Sequence, residues 1–298
     1  NTIDIGWQID SLDWHPIDSN ILASAIHFNP VQIRDLTTET TLELATRQHV
    51  QKVSFSPGGT QLAVVGDSEG FFTPDSAVEI WDPVTCSLLS TYEDGFIFTD
   101  CAWNPQNPEL LLIAGFNSIG AEFVLWNVNS QTVVWTVEEG YGVTHVAWAV
   151  DGNSIVTATD ILTTDDGRAI VEIRDGTTGT VTTQLPTELT RVSTVVWAPS
   201  PYIVLAVTSS ISPNVEIWDP TSLTLIDTLQ TGDQGGVVAW SQDGNTLAYG
   251  TEDGALGFIE LNQSPIAATG PAQTFTDTDA SASDSVGSTA QPPSSARE

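Results

Sequence analysis

The chain has 298 residues, 40% of them apolar, which is enough to bury a large core. Only 7 Lys and Arg stand against 38 Asp and Glu, for a formal net charge of −31. Such a surface repels phosphate backbones and anionic bilayers, so neither a nucleic-acid partner nor membrane insertion is expected, whereas basic proteins or cations are attracted.

Short strands follow one another along the chain, and no amphipathic helix of useful length interrupts them. The first series consists of alternating segments that end in an aromatic residue and a turn. The aromatics are Trp14, Phe55, Trp103, Trp148, Trp197 and Trp240, and two residues before each stands Leu12, Val53, Cys101, Val146, Val195 or Val238. Period-2 spacing puts both positions on one face of a strand. A nearly continuous apolar run follows each: 21–25, 62–65, 110–114, 155–158, 203–207 and 247–249. A strand reads that way when both its faces are buried.

A third series then recurs. It reads Val31-Gln32-Ile33-Arg34-Asp35, Val78-Glu79-Ile80-Trp81-Asp82, Phe123-Val124-Leu125-Trp126-Asn127, Val171-Glu172-Ile173-Arg174-Asp175 and Val215-Glu216-Ile217-Trp218-Asp219. Leu256 to Glu260 is the most degenerate copy. The intervals between final residues are 47, 45, 48, 44 and 41. A Thr/Ser/Pro-rich turn and a fourth strand follow, at 41–45, 88–92, 132–137, 181–185 and 223–229. Four strands in each repeat of this length predict an all-β chain of radially arranged four-stranded antiparallel blades.

The repeat length and the Trp-Asp endings at Trp81-Asp82 and Trp218-Asp219, with Trp126-Asn127 close, resemble the WD40 repeat family over residues 1–262. The resemblance implies a β-propeller that holds protein partners on the rim carrying its long loops. It also implies a network of Asp, His and Trp stapling each blade. No repeat here keeps that set, since only His49 sits in a comparable place, so these blades are expected to rely more on packing.

Six blades are visible. Asn1 to Gly6, with Ile3 and Ile5 alternating, matches a fourth strand that would complete the last blade and leave no open edge. The alternative is a seven-bladed ring truncated upstream, which the missing initiator Met allows. Residues 263–298 are rich in Ser, Thr, Ala, Pro and Asp with Phe275 the one aromatic, and are expected to be a disordered tail or linker. Cys86 and Cys101 read as packing residues at the start of one strand and within the next. The start of the chain shows no signal-peptide pattern, and the compartment stays open between a cell envelope or exterior and a high-salt cytoplasm.

Chemistry is sparse. Gly66-Asp67-Ser68-Glu69-Gly70 spells a nucleophile-elbow motif, but a loop and a strand follow it where a helix is needed. No zinc spacing, calcium loop or Gly-Lys phosphate loop is present, so no metal and no cofactor is expected. Three residues before the aromatics lies a column of Ser11, Lys52, Asp100, His145, Thr194 and Val237. Its first five members form a candidate polar rim of the channel, and Asp100 beside His145 would make a general-base pair if a channel hydrolase or lactonase with a bound metal were present. The connections between second and third strands carry the apolar residues Phe71, Phe72, Phe116, Ile161 and Leu162. Apolar side chains rimmed by acids mark a docking face. The favoured expectation is a non-catalytic, monomeric interaction scaffold for a protein or peptide, possibly basic. The alternatives are the channel hydrolase and a structural spacer.

Overall fold

A computed structural model describes residues 9–47, 49–67, 76–117, 120–139, 143–159, 168–199, 203–231, 235–241, 243–251 and 256–260. The first sheet holds β1 (Ile9–Trp14), β2 (Ile21–Ile26), β3 (Val31–Asp35) and β4 (Thr40–Leu44). The second holds β5 (His49–Phe55), β6 (Leu62–Asp67), β7 (Ala77–Asp82) and β8 (Ser87–Tyr92). The third holds β9 (Ile97–Trp103), β10 (Leu110–Phe116), β11 (Ala121–Asn127) and β12 (Thr132–Glu139). The fourth holds β13 (Val143–Trp148), β14 (Ser154–Thr159), β15 (Val171–Asp175) and β16 (Val181–Gln184). The fifth holds β17 (Val192–Trp197), β18 (Leu205–Ser209), β19 (Asn214–Asp219) and β20 (Thr224–Gln230). The sixth has three strands among the described residues: β21 (Gly235–Trp240), β22 (Thr246–Thr251) and β23 (Leu256–Glu260). Each sheet is an antiparallel meander in chain order, and no helix occurs among the described residues. The expected strand at Asn1 to Gly6 and the tail at 263–298 lie outside the described residues.

The first strands of consecutive sheets lie side by side, β1 on β5, β5 on β9, β9 on β13, β13 on β17 and β17 on β21. This is the propeller arrangement, with the first strands lining the channel. The core sits between sheets and not within one. Ala63, Val65, Val78 and Ile80 of the second sheet pack on Cys101, Trp103, Leu111 and Ile113 of the third. The near-continuous apolar runs follow from this: alternate side chains of a second strand serve two different interfaces, so both parities must be apolar.

The turn between third and fourth strands explains the recurring Asp. Asp35 Oδ1 accepts the amides of Thr37 and Thr38, Asp82 those of Val84 and Thr85, Asp175 those of Thr177 and Thr178, and Asp219 those of Thr221 and Ser222. Those amides lead in holding the carboxyls of Asp35, Asp82 and Asp175 below the usual range; at Asp219 desolvation opposes, and the Ser222 hydroxyl first and the amides after it outweigh it. Each turn closes on a residue at positive φ. Glycine fills it once, at Gly179, and Glu39, Cys86, Gln131 and Leu223 adopt φ of 54–58°. Cys86, expected to open a strand, is therefore a turn residue, because the turn's left-handed position falls just before β8.

Beside the packing on which the blades are expected to rely more, a polar staple is present. Trp81 Nε1 donates to Glu79 Oε2 at 3.1 Å, and Trp218 Nε1 donates to Glu216 Oε2 at 2.8 Å. The loop entering the first strand of the same sheet closes each pair: Thr187 Oγ1, before β17, donates to Glu216 Oε2 at 2.7 Å, and Arg47 Nε, before β5, lies 3.4 Å from Glu79 Oε1. In the fourth sheet Arg174 stands where the Trp would, bonded to Glu172, Thr157 and Glu139. A Glu two residues earlier thus carries the staple. Residues i and i+2 of a strand share a face, so the pair is preset by the sequence.

Candidate functional site

The polar column lies on the first strands, at the joints between sheets. Ser11 Oγ accepts the Val53 amide at 3.2 Å, and Asp100 Oδ2 accepts the Val146 amide at 3.1 Å. Thr194 Oγ1 donates to Ser193 O at 2.7 Å and to Gly236 O at 3.4 Å. Apart from the bond to Ser193, which stays within its own strand, a side chain of one sheet here meets the backbone of the next. Val237, the last member of the column, is exposed.

Lys52, Asp100 and His145 come together, from three successive sheets. Lys52 Nζ lies 3.1 Å from Asp100 Oδ1, and His145 Nδ1 lies 3.8 Å from Asp100 Oδ2. Asp100 Oδ1 also accepts the Cys101 amide at 2.9 Å. Burial alone would raise the Asp100 carboxyl, but Lys52 first and His145 second hold it below the usual range. The Asp100 carboxylate in turn raises the Lys52 ammonium. Both groups are locked in their charged forms, and the carboxylate is committed to a cation and two amides. The distance from Asp100 to His145 exceeds a hydrogen bond, so the carboxylate orients Lys52 more firmly than it orients the imidazole.

One member of the rim was not foreseen. Asp13, next to the aromatic Trp14, accepts the Phe55 amide through Oδ2 at 2.6 Å. Burial pushes its carboxyl up to about 6, against that amide and Lys52. The sequence signal was its position: one residue before the aromatic shares a face with three residues before, where Ser11 stands. Burial likewise pushes the Cys101 thiol up, which makes it a packing group. A second pair of clusters sits at the other end of the first two sheets. His27 Nδ1 lies 3.0 Å from Asp10 Oδ2, His49 Nδ1 lies 3.3 Å from Asp67 Oδ2, and the two imidazoles meet edge to face at 5.7 Å.

The channel encloses about 1230 Å³ and is lined by all six first strands. Among the described residues no three His, Cys, Asp or Glu side chains converge on one metal position. Of the five apolar docking residues, Phe71, Phe72, Ile161 and Leu162 lie outside the described residues. Phe116, expected in a loop, is the last residue of β10, half-buried against the cluster of Leu112, Ala114 and Phe123. The strand is longer than its apolar run because its pairing with β11 continues to Ala121.

Six radial sheets, Trp-Asp-type third-strand ends and a polar inner rim define a β-propeller of WD40 type. Its fold is similar to a chain in the solved structure "Crystal Structure of Mitotic Checkpoint Complex", with a TM-score of 0.70 at 20% identity, covering 85% of this chain and 73% of that one. At that identity the likeness is one of fold. A family model described as eukaryotic translation initiation factor eIF2A matches residues 18–174, just over half of the sequence. The chain belongs to that family. No curated protein matches it.

Proposed function

We propose that the protein is a non-catalytic scaffold that holds protein partners on the rim where the second and third strands of each sheet connect, together with the channel mouth on that side. The observation that carries this reading is the use of the inner rim. Ser11, Asp13, Asp100 and Thr194 spend their polar atoms on the neighbouring sheet's backbone, and Lys52 spends its charge on Asp100. Groups consumed in joints make a rigid disc and, among the described residues of the rim, leave no activated nucleophile and base side by side.

The family's name points to the initiation of translation. A chain of net charge −31 would meet that machinery through a basic protein surface, since an RNA backbone is repelled. The docking residues would be Phe71 and Phe72 in the connection after β6, and Ile161 and Leu162 in the connection after β14. The test is capture of the partner by the wild-type chain and by a Phe71→Ser, Phe72→Ser double variant. Loss of capture with an unchanged unfolding midpoint supports the reading. Undiminished capture, or turnover of an ester or lactone that Asp100→Asn abolishes, overturns it.

A further inference from the structure

In the second sheet one arginine serves two carboxylates. Arg47, in the connection entering β5, lies 3.4 Å from Glu79 Oε1 on the third strand and bonds Glu93, which follows the fourth strand. The third sheet has the acids without the base. Its entering connection carries Asp94, and Glu122 on β11 stands directly across from Glu138 on β12. Opposed residues of an antiparallel pair share a face, and two like charges set side by side there cost stability unless a counter-charge arrives. Glu122 is 9% exposed, and its Oε2 meets no hydrogen-bond donor. Burial first, then the charge and side chain of Asp94, then Glu138, push its carboxyl up to about 7. Asp94 and Glu138 are exposed, and the Tyr92 hydroxyl donates to Asp94 Oδ2 at 2.9 Å. The adjoining acids Glu93 and Glu139 are taken by Arg47 and Arg174, but among the described residues no Lys or Arg pairs with Asp94, Glu122 or Glu138. The three lie at the end of the sheet where β10 connects to β11, which is the proposed docking rim.

We propose that Asp94, Glu122 and Glu138 form a pocket for an arginine side chain of a partner protein, its guanidinium entering between the two exposed acids and bonding the unpaired oxygen of Glu122. The pocket rests on the docking reading above only for the source of that arginine. Three features select the ligand. The second sheet shows the same bridge made within the chain, with Arg47 between a third-strand Glu and the Glu after the fourth strand. Among the described residues no three acids converge on one metal position, so a single divalent ion is a poorer fit than a planar fork of five donors. A guanidinium is also more weakly hydrated than a lysine ammonium, which suits a buried carboxyl floor. Binding is linked to a proton. The charged and titratable groups that face Glu122 are Asp94, Glu138 and the Tyr92 hydroxyl. Below about pH 7 Glu122 holds a proton that the guanidinium drives into solvent, so binding weakens as pH falls.

The experiment titrates N-acetyl-arginine amide into the full chain and follows the backbone amide resonances of Glu122 and Glu138. The comparators are N-acetyl-lysine amide, the uncharged N-acetyl-citrulline amide and calcium chloride. Glu122→Gln and Glu138→Gln relieve the like-charge opposition and so do not endanger the fold. Asp151→Asn, an exposed acid in the turn after β13 at the opposite end, is the control. The proposal expects saturable millimolar binding of the arginine probe, weakened about fivefold by Glu122→Gln or Glu138→Gln and unchanged by Asp151→Asn. Lowering the pH from 8 to 5.5 should weaken it about tenfold, a loss that Glu122→Gln removes. The proposal is overturned by no saturable shift at those amides, by binding indifferent to both substitutions, or by equal binding of the lysine or citrulline probe. Stoichiometric calcium at the same amides also overturns it, because the site would then be a metal site. A bound arginine probe together with undiminished partner capture by the Phe71→Ser, Phe72→Ser variant removes the docking reading and supports the pocket. The converse pair of results removes the pocket alone.

Discussion

The indole nitrogen of Trp148 donates to the backbone carbonyl of Ala102, one sheet back, at 3.1 Å. The same joint recurs where Trp103 Nε1 donates to Ser54 O at 3.0 Å and Trp240 Nε1 to Val196 O at 3.4 Å. The aromatic series that reveals the repeat is therefore also a series of hydrogen bonds between sheets. Phe55 keeps the ring without the donor, and Trp197 Nε1 is buried without a hydrogen-bond partner, so packing is the common element and the bond the addition.

Trp148→Phe removes that donor and keeps most of the buried ring. It should lower stability by about 1 kcal/mol, the net worth of one such bond. Trp148→Ala should cost about 3–5 kcal/mol through the cavity it opens. Urea midpoints at constant m-value check both, and equal losses for the two variants would show that the indole contributes only through its nitrogen.

Asp13 carries a pH dependence. Its carboxyl is raised to about 6 in the fold from 3.8, so the folded state holds the proton more tightly. The contribution is fully present below the unfolded value and is lost as pH rises through about 6. Asp13→Asn keeps an acceptor for the Phe55 amide and removes the charge. It should stabilise the protein by roughly 1–3 kcal/mol at pH 8 and by little at pH 4. Chemical denaturation at the two pH values is the check.

Lys52 and Asp100 form the full ion pair of the rim among the described residues. Lys52→Met leaves the Asp100 carboxylate enclosed without its cation and should cost up to about 3–5 kcal/mol at neutral pH. The double variant with Asp100→Asn should recover most of that loss. A double-mutant cycle measures the recovery, and additive losses would contradict the pairing.

Glu216 holds both Trp218 Nε1 and Thr187 Oγ1. Glu216→Ala strands two buried donors and should cost about 2–4 kcal/mol. Glu216→Gln, which retains an acceptor oxygen, should lose about half as much. If the two variants lose equally, the negative charge and not the acceptor is what the staple needs.

The blades were legible because burial on two interfaces imposes one apolar pattern on every repeat. The approach of Asp100 to His145 was legible from column position, but the tighter partner, Lys52, was not, since the columns carry no distances. The Glu79–Trp81 and Glu216–Trp218 staples were spelled out twice in Val-Glu-Ile-Trp. They were missed because the expected network places its acid in a turn and not on the same strand. Phe116 was misplaced by reading strand length from the apolar run, when hydrogen bonding to β11 sets it.

The central claim is that partners meet the loop rim of a disc whose polar interior is structural. Hydrogen exchange of the chain alone and with its captured partner tests it most directly. The account predicts new protection in segments 68–75 and 160–167, with the first strands unchanged. Protection confined to the opposite turns at 56–59, 149–152 and 241–244, or within β5, β9 and β13 at Lys52, Asp100 and His145, would contradict it.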